Sequence, residues 1–201
     1  TNMLTVNGVR MWKSAGNGFL RAELFTGNHA LLEKGYSRMS VRSFMLQTHY
    51  RSTLDFSNEA LQASEKGYAR LMAAVKTVES LKTSPTSTSN ITELQQKCLD
   101  AMNDDFNSPV LIANLFEAVR IINSVHDEKE TITVGDLVLL KKLMHDFVFV
   151  VLGLNAEHSV SSADKALSGV MDIILDIRKE MKAKKDFTAS DKLRDDLNKF
   201  S

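Results

Sequence analysis

Only two prolines, Pro85 and Pro109, interrupt 201 residues. A proline inside a helix removes a hydrogen bond and clashes with the preceding turn, so a chain this poor in proline has few enforced breaks. Apolar residues recur at helical spacing between the prolines and beyond them, which predicts a mainly α fold, a helical bundle. The first long helix is expected from the cap Ser57, with Glu59 in its first turn, to about Lys82, carrying the stripe Leu61, Tyr68, Leu71, Met72, Val75 and Val78. Thr92 with Gln95 reads as a capping box that opens a second helix to about Met102. Ser108 before Pro109 reads as an N-cap with proline at the first helical position, and Leu111, Leu115, Val119 and Ile122 form the third stripe. Thr133 with Asp136 caps a fourth helix carrying Leu137, Leu140, Leu143, Met144, Phe147 and Val151 and ending at Gly153. Residues 83–90 are small and polar without periodicity and read as a flexible crossover. A further helix over about 163–184 and a short one capped by Thr188 with Asp191 close the chain.

The first 56 residues differ in character. Strand-like Leu4, Thr5 and Val6 run into Asn7-Gly8, a hairpin signal, and short helical pieces are expected near 22–34 and 40–48. Four of the nine glycines fall early, at Gly8, Gly16, Gly18 and Gly27, which makes residues 9–19 the loop to suspect of chemistry. A chain that opens on Thr1 and enters a strand at once reads as cut from a longer protein.

Charge narrows the options further. Lys plus Arg equals Asp plus Glu at 25 each, so any RNA contact needs a local basic face, not an overall basic field. The single Cys98 excludes an internal disulfide framework and is expected to be a buried small hydrophobe. His29, His49, His126, His145 and His158 are scattered, and no metal-ligand spacing is visible. With no signal-like segment, a cytoplasmic setting without a membrane role, and a monomer, are the expectations. Arg51 with Asp55 is read as a local ion pair pinning a junction, and Asp104-Asp105 as carboxylates favouring a helix N-terminus.

Four segments carry a resemblance. Arg10-Met11-Trp12-Lys13-Ser14, reached through Leu4-Thr5-Val6-Asn7-Gly8, is similar to the signature lysine loop, Lys-Met-Ser-Lys-Ser, of class I aminoacyl-tRNA synthetases. His49-Tyr50-Arg51-Ser52-Thr53-Leu54-Asp55-Phe56-Ser57, Met102-Asn103-Asp104-Asp105-Phe106-Asn107-Ser108-Pro109 and the stretch from Lys185 to Asp195 resemble, in that order, segments of the cysteinyl branch. The loop departs from the family pattern: Arg10 replaces the first lysine, Trp12 the middle serine, and Ala15 and Gly18 a leucine and an aromatic.

The resemblance implies a helical bundle of the class I synthetase anticodon-binding type preceded by a small mixed stem-contact region. It divides the chain into the end of a catalytic domain at 1–56, the bundle at 57–154, and C-terminal helices at 155–201 that begin a truncated anticodon-recognition domain. It implies a parent enzyme that ligates cysteine to its cognate tRNA using ATP, with Lys13 contacting ATP phosphates, and a fragment inactive alone because the nucleotide motif and the zinc site belong to the missing N-terminal part. Arg178, Lys182, Lys185, Lys192 and Arg194 on the last helices are the candidate tRNA contacts; a solvated charged face is the alternative reading of the same residues. Lys66, Arg70 and Lys76 form a second basic patch. Two other functions stay open: a cysteine:aminosugar ligase paralogue of thiol biosynthesis, and a noncatalytic helical interaction module derived from a synthetase.

Overall fold

The computed structural model describes residues 3–12, 14, 16–18, 20–29, 32–156, 170, 173–174, 176–181, 184 and 191. The chain divides into two compact units, 1–156 and 157–201.

In the first unit, strands β1 (Met3–Val6), β2 (Val9–Arg10) and β3 (Thr53–Phe56) form one sheet in the order β2-β1-β3. The hairpin between β1 and β2 turns at Asn7 and Gly8, with φ 49° and 76°. Both are left-handed, as a two-residue turn matching strand twist requires, and Asn-Gly tolerates this best. β3 lies parallel to β1, so a crossover must separate them, and it contains the short helices α1 (Arg21–Thr26) and α2 (Arg38–Leu46). α1 is shorter than the expected piece, whereas α2 has the expected length and starts two residues earlier. Val6, Leu24, Tyr36, Val41, Phe44, Leu54, Phe56 and Leu61 make a small core under the sheet, with the Phe44 and Phe56 rings 5.0 Å apart.

Four longer helices follow. α3 (Asn58–Thr77) starts where expected, the Ser57 side chain accepting from the Ala60 N–H. It stops five residues earlier than Lys82, passing into a 3₁₀ turn at Val78–Ser80 and then extended backbone at Leu81. Its first turn gives Leu61 to the sheet-side core; Tyr68, Leu71, Met72 and Ala74 belong to the bundle core. α3 is thus the spine shared by both. Helix α4 (Ile91–Asn103) is capped by Asn90, which accepts from the Glu93 N–H, and not by Thr92. Helix α5 (Ser108–His126) is capped by Asn107, one residue before the expected Ser108. In both cases an asparagine, as strong a cap as serine, sits at the position whose backbone is still non-helical. α6 (Val134–Met144) has the expected Thr133 cap, accepting from the Asp136 N–H.

The regular helix ends at Met144, and His145–Val151 wind as a π-helix. The wider turn shifts the apolar stripe, so Phe147 and Val148 point inward while Val151, expected in the core, is 43% exposed. α5 is long and apolar enough to cross a membrane by length and composition alone. Its apolar face is instead the centre of the bundle: Leu111, Leu115, Ala118 and Ile122 are fully buried against α3, α4 and α6. Gly67 brings α3 close to α5, where a Cβ would meet the Phe116 ring at 3.4 Å.

Residues 83–90 do not behave as a free crossover. Ser84 N donates to Ile132 O at 2.8 Å, Thr88 N to Thr131 O at 3.0 Å, and Thr133 N to the Ser87 hydroxyl at 3.1 Å. The segment is stitched to the loop after α5, using the backbone groups that a polar run leaves free. In the second unit, the described residues 170, 173–174, 176–181 and 191 are helical; the rest of the expected helices at 163–201 lies largely outside the described residues.

Candidate nucleotide loop and RNA-binding bundle

The basic loop begins where β2 ends. Asp55, on β3, holds the hairpin from which it springs: its Oδ1 accepts from the Thr5 hydroxyl at 2.6 Å and from the Gly8 N–H at 2.8 Å. Asn7 N adds a bond to Phe56 O at 2.9 Å. Asp55 is therefore committed to the hairpin and makes no pair with Arg51. Spacing alone pairs Asp55 with Arg51, whereas the fold brings it two donors at close range, Thr5 from 50 residues away and Gly8 from 47.

Beyond β2, Met11 packs against the sheet-side core, Trp12 is half exposed, and the Arg10 guanidinium lies 4.3 Å over the indole ring. Arg10 and Trp12, two of the departures from the signature pattern, are thus in contact with each other. Asn17, which the sequence reading passed over, bonds both flanks of the loop, accepting from Trp12 N at 2.9 Å and donating to Arg10 O at 3.1 Å. An Asn in a glycine-rich turn was the available signal. Ser14 is exposed, and Lys13 lies outside the described residues.

Arg51 turns instead to the bundle. Asp105, in the turn between α4 and α5, accepts from the Tyr50 hydroxyl at 2.7 Å and pairs with Arg51 at 3.0 Å, with His49 Nε2 at 3.8 Å. Asp105 and Phe106 both have left-handed backbone, φ 54° and 53°. This carboxylate therefore bridges the sheet to the bundle and does not serve a helix N-terminus; Asp104 accepts from Asn107 Nδ2 at 3.0 Å. Further ties join the helices: Arg42 of α2 donates from Nε to Leu152 O at 2.7 Å, and the Tyr68 hydroxyl to Asn155 O at 2.6 Å.

Of the candidate RNA contacts, Arg178 is half buried, with its Nε enclosed and lacking a hydrogen-bond partner. Lys182, Lys185, Lys192 and Arg194 lie outside the described residues. Neighbouring lysines are neutralised locally: Lys179 pairs with Asp176 at 2.9 Å and Lys184 with Glu180 at 3.7 Å. On α3, the Arg70 guanidinium sits 5.5 Å over the Phe116 ring. Cys98 is buried within the bundle, as expected, and burial pushes its thiol up to about 12. Among the described residues, no group of three or more His, Cys, Asp or Glu stands together as a metal site would need.

A helical bundle joined to a small sheet in this way is of the class I synthetase anticodon-binding type, and residues 97–157 match the DALR domain family. The chain is 49% identical to a cysteine–tRNA ligase of Parabacteroides distasonis over 197 residues, covering 98% of this chain and 40% of that protein. A cysteine–tRNA ligase of Porphyromonas gingivalis is 47% identical with the same coverage, and one of Chlorobaculum tepidum is 39% identical over 202 residues. Over 98% of its length the chain matches the C-terminal part of cysteine–tRNA ligases. It spans about 40% of the length of these relatives.

Proposed function

We propose that this chain is the tRNA-docking C-terminal part of an enzyme that joins cysteine to its tRNA at the expense of ATP. The observation that carries the reading is the physical link between two elements of the first unit. The hairpin bearing the signature-type loop is locked to β3 by Asp55, and the turn just before β3 is bound through Asp105 to the α4–α5 turn inside the DALR match. A segment suited to ATP phosphates and a bundle suited to RNA thus share one compact unit.

In this reading Lys13 neutralises charge on the ATP phosphates, as a mobile point charge can. Arg178, Lys182, Lys185, Lys192 and Arg194 contact the tRNA backbone. Zinc and the cysteine pocket belong to the part of the parent outside this chain, and a soluble, cytoplasmic monomer fits the family. The relatives matched over nearly all of this chain are cysteine–tRNA ligases, which supports the tRNA ligase over the aminosugar ligase.

The test is binding of this chain to transcribed cysteine tRNA and to a noncognate tRNA at two salt concentrations. Preference for the cysteine tRNA, with affinity falling as salt rises, supports the docking role. Binding to neither tRNA overturns it and favours the interaction module.

A further inference from the structure

Among the described residues, the Asn17 side chain bonds both flanks of the loop after β2. Asn17 Oδ1 accepts from the Trp12 N–H at 2.9 Å while Nδ2 donates to the Arg10 carbonyl at 3.1 Å. The two partners are backbone groups of fixed polarity, one only a donor and the other only an acceptor, so they determine which way the amide faces. The side chain pairs with residues 10–12 as a peptide unit of a neighbouring strand would. It reaches them because the chain reverses at Gly16, φ 65°. A second tie runs between side chains, the Arg10 guanidinium over the Trp12 ring at 4.3 Å. Below the loop, Asp55 anchors the hairpin.

We infer that Asn17 is a positioning residue for the reaction of the parent enzyme: it holds residues 10–12 in one conformation and so fixes the main chain leading into Lys13. This rests on the proposal that the loop serves ATP. An exposed loop must lose backbone freedom before it can present a charge to a phosphate, and a loop already closed on Asn17 loses less on binding. Stabilisation that depends on placing a charge where a pyrophosphate develops is sensitive to small displacements. The amide at position 17 satisfies both partners at once. Aspartate, of the same shape, keeps the acceptor but sets a second oxygen against the Arg10 carbonyl.

The test uses Asn17→Asp and Asn17→Ala, with Thr86→Ala in the remote crossover as control. In the full-length parent, cysteine-dependent ATP–pyrophosphate exchange is expected to show kcat/KM for ATP reduced about tenfold, the scale of one or two lost hydrogen bonds, with KM for cysteine unchanged. In this chain Trp12 is the sole tryptophan, so acrylamide quenching of its emission reads the loop directly; both Asn17 variants are expected to raise quenching at an unchanged melting temperature. Exchange kinetics of Asn17→Asp within about twofold of wild type overturn the inference, as does unaltered Trp12 quenching. A lowered melting temperature with equal effects on ATP and cysteine marks a structural role only and also overturns it. If the wild-type parent has no exchange activity, the ATP reading of the loop fails first and the positioning role with it.

Discussion

The hydroxyl of Tyr50 donates to the carboxylate of Asp105 at 2.7 Å, across 55 residues of sequence. Arg51 pairs with the same carboxylate at 3.0 Å. Asp105 holds a left-handed backbone, φ 54°, that costs a non-glycine residue free energy unless its surroundings impose it. Asp105→Ala loses these partners and keeps the strain, so it is expected to lower unfolding free energy by about 1–2 kcal/mol. Asp105→Gly loses the partners but relieves the strain, and is expected to fall between alanine and wild type. Urea denaturation of the three proteins orders them; a glycine variant less stable than the alanine variant contradicts the argument.

Gly153 ends the π-helix with φ 61°, and a Cβ there would meet Arg42 Nη2 at 2.7 Å. The guanidinium could swing aside only by giving up its bond to Leu152 O. Gly153→Ala should therefore destabilise by about 1–3 kcal/mol, more than alanine at an open left-handed site such as Gly8. Thermal melts of the two variants make the comparison.

Glu130 joins the crossover to the bundle, accepting from the Ser89 hydroxyl at 2.6 Å and from Arg120 at 2.7 Å. The Ser89 hydrogen bond first, then Arg120, holds its carboxyl below the usual value near 4.5. A depressed folded value means that stability is present above the unfolded value and is lost as pH falls through the folded one. Wild type is expected to exceed Glu130→Gln by about 1 kcal/mol at neutral pH. The gap should close progressively below pH 4.5, as read from urea midpoints across that range.

Cys98 is fully buried, and its thiol ionises at about 12 in place of its ordinary 9.0 because burial disfavours the thiolate. Between those values the unfolded chain has released a proton that the folded chain retains, so folding stability falls as pH rises. Cys98→Ala should flatten that slope relative to wild type. In the native protein at pH 8, a thiol reagent should label Cys98 only as fast as the bundle opens.

Much of the helical layer was legible because its signals are local. Ser57 and Thr133 cap helices at the expected residues, Asn7-Gly8 makes the hairpin, and Leu111, Leu115, Leu140 and Met144 fall in the core as their spacing predicts. The loop at residues 10–14 was found by its resemblance to a signature, and its position after the hairpin follows from β1 and β2. What the sequence by itself determined, then, is where helices begin, to within two residues, and which faces are apolar. These depend on contacts within a turn or two.

The tertiary structure decided the rest. With 25 acids and 25 bases, spacing cannot assign partners. Arg51 stands four residues from Asp55 yet pairs with Asp105, because the fold delivers that carboxylate to it and gives Asp55 to Thr5 and Gly8. The π-helix after Met144 turned Val151 outward against its periodicity, and the residue 83–90 segment is tied down by the backbone of loop 128–133 and by the Glu130 carboxylate. The pairing of Arg51 and the ordering of residues 83–90 depend on groups brought together across tens of residues, and no local pattern encodes which groups will meet.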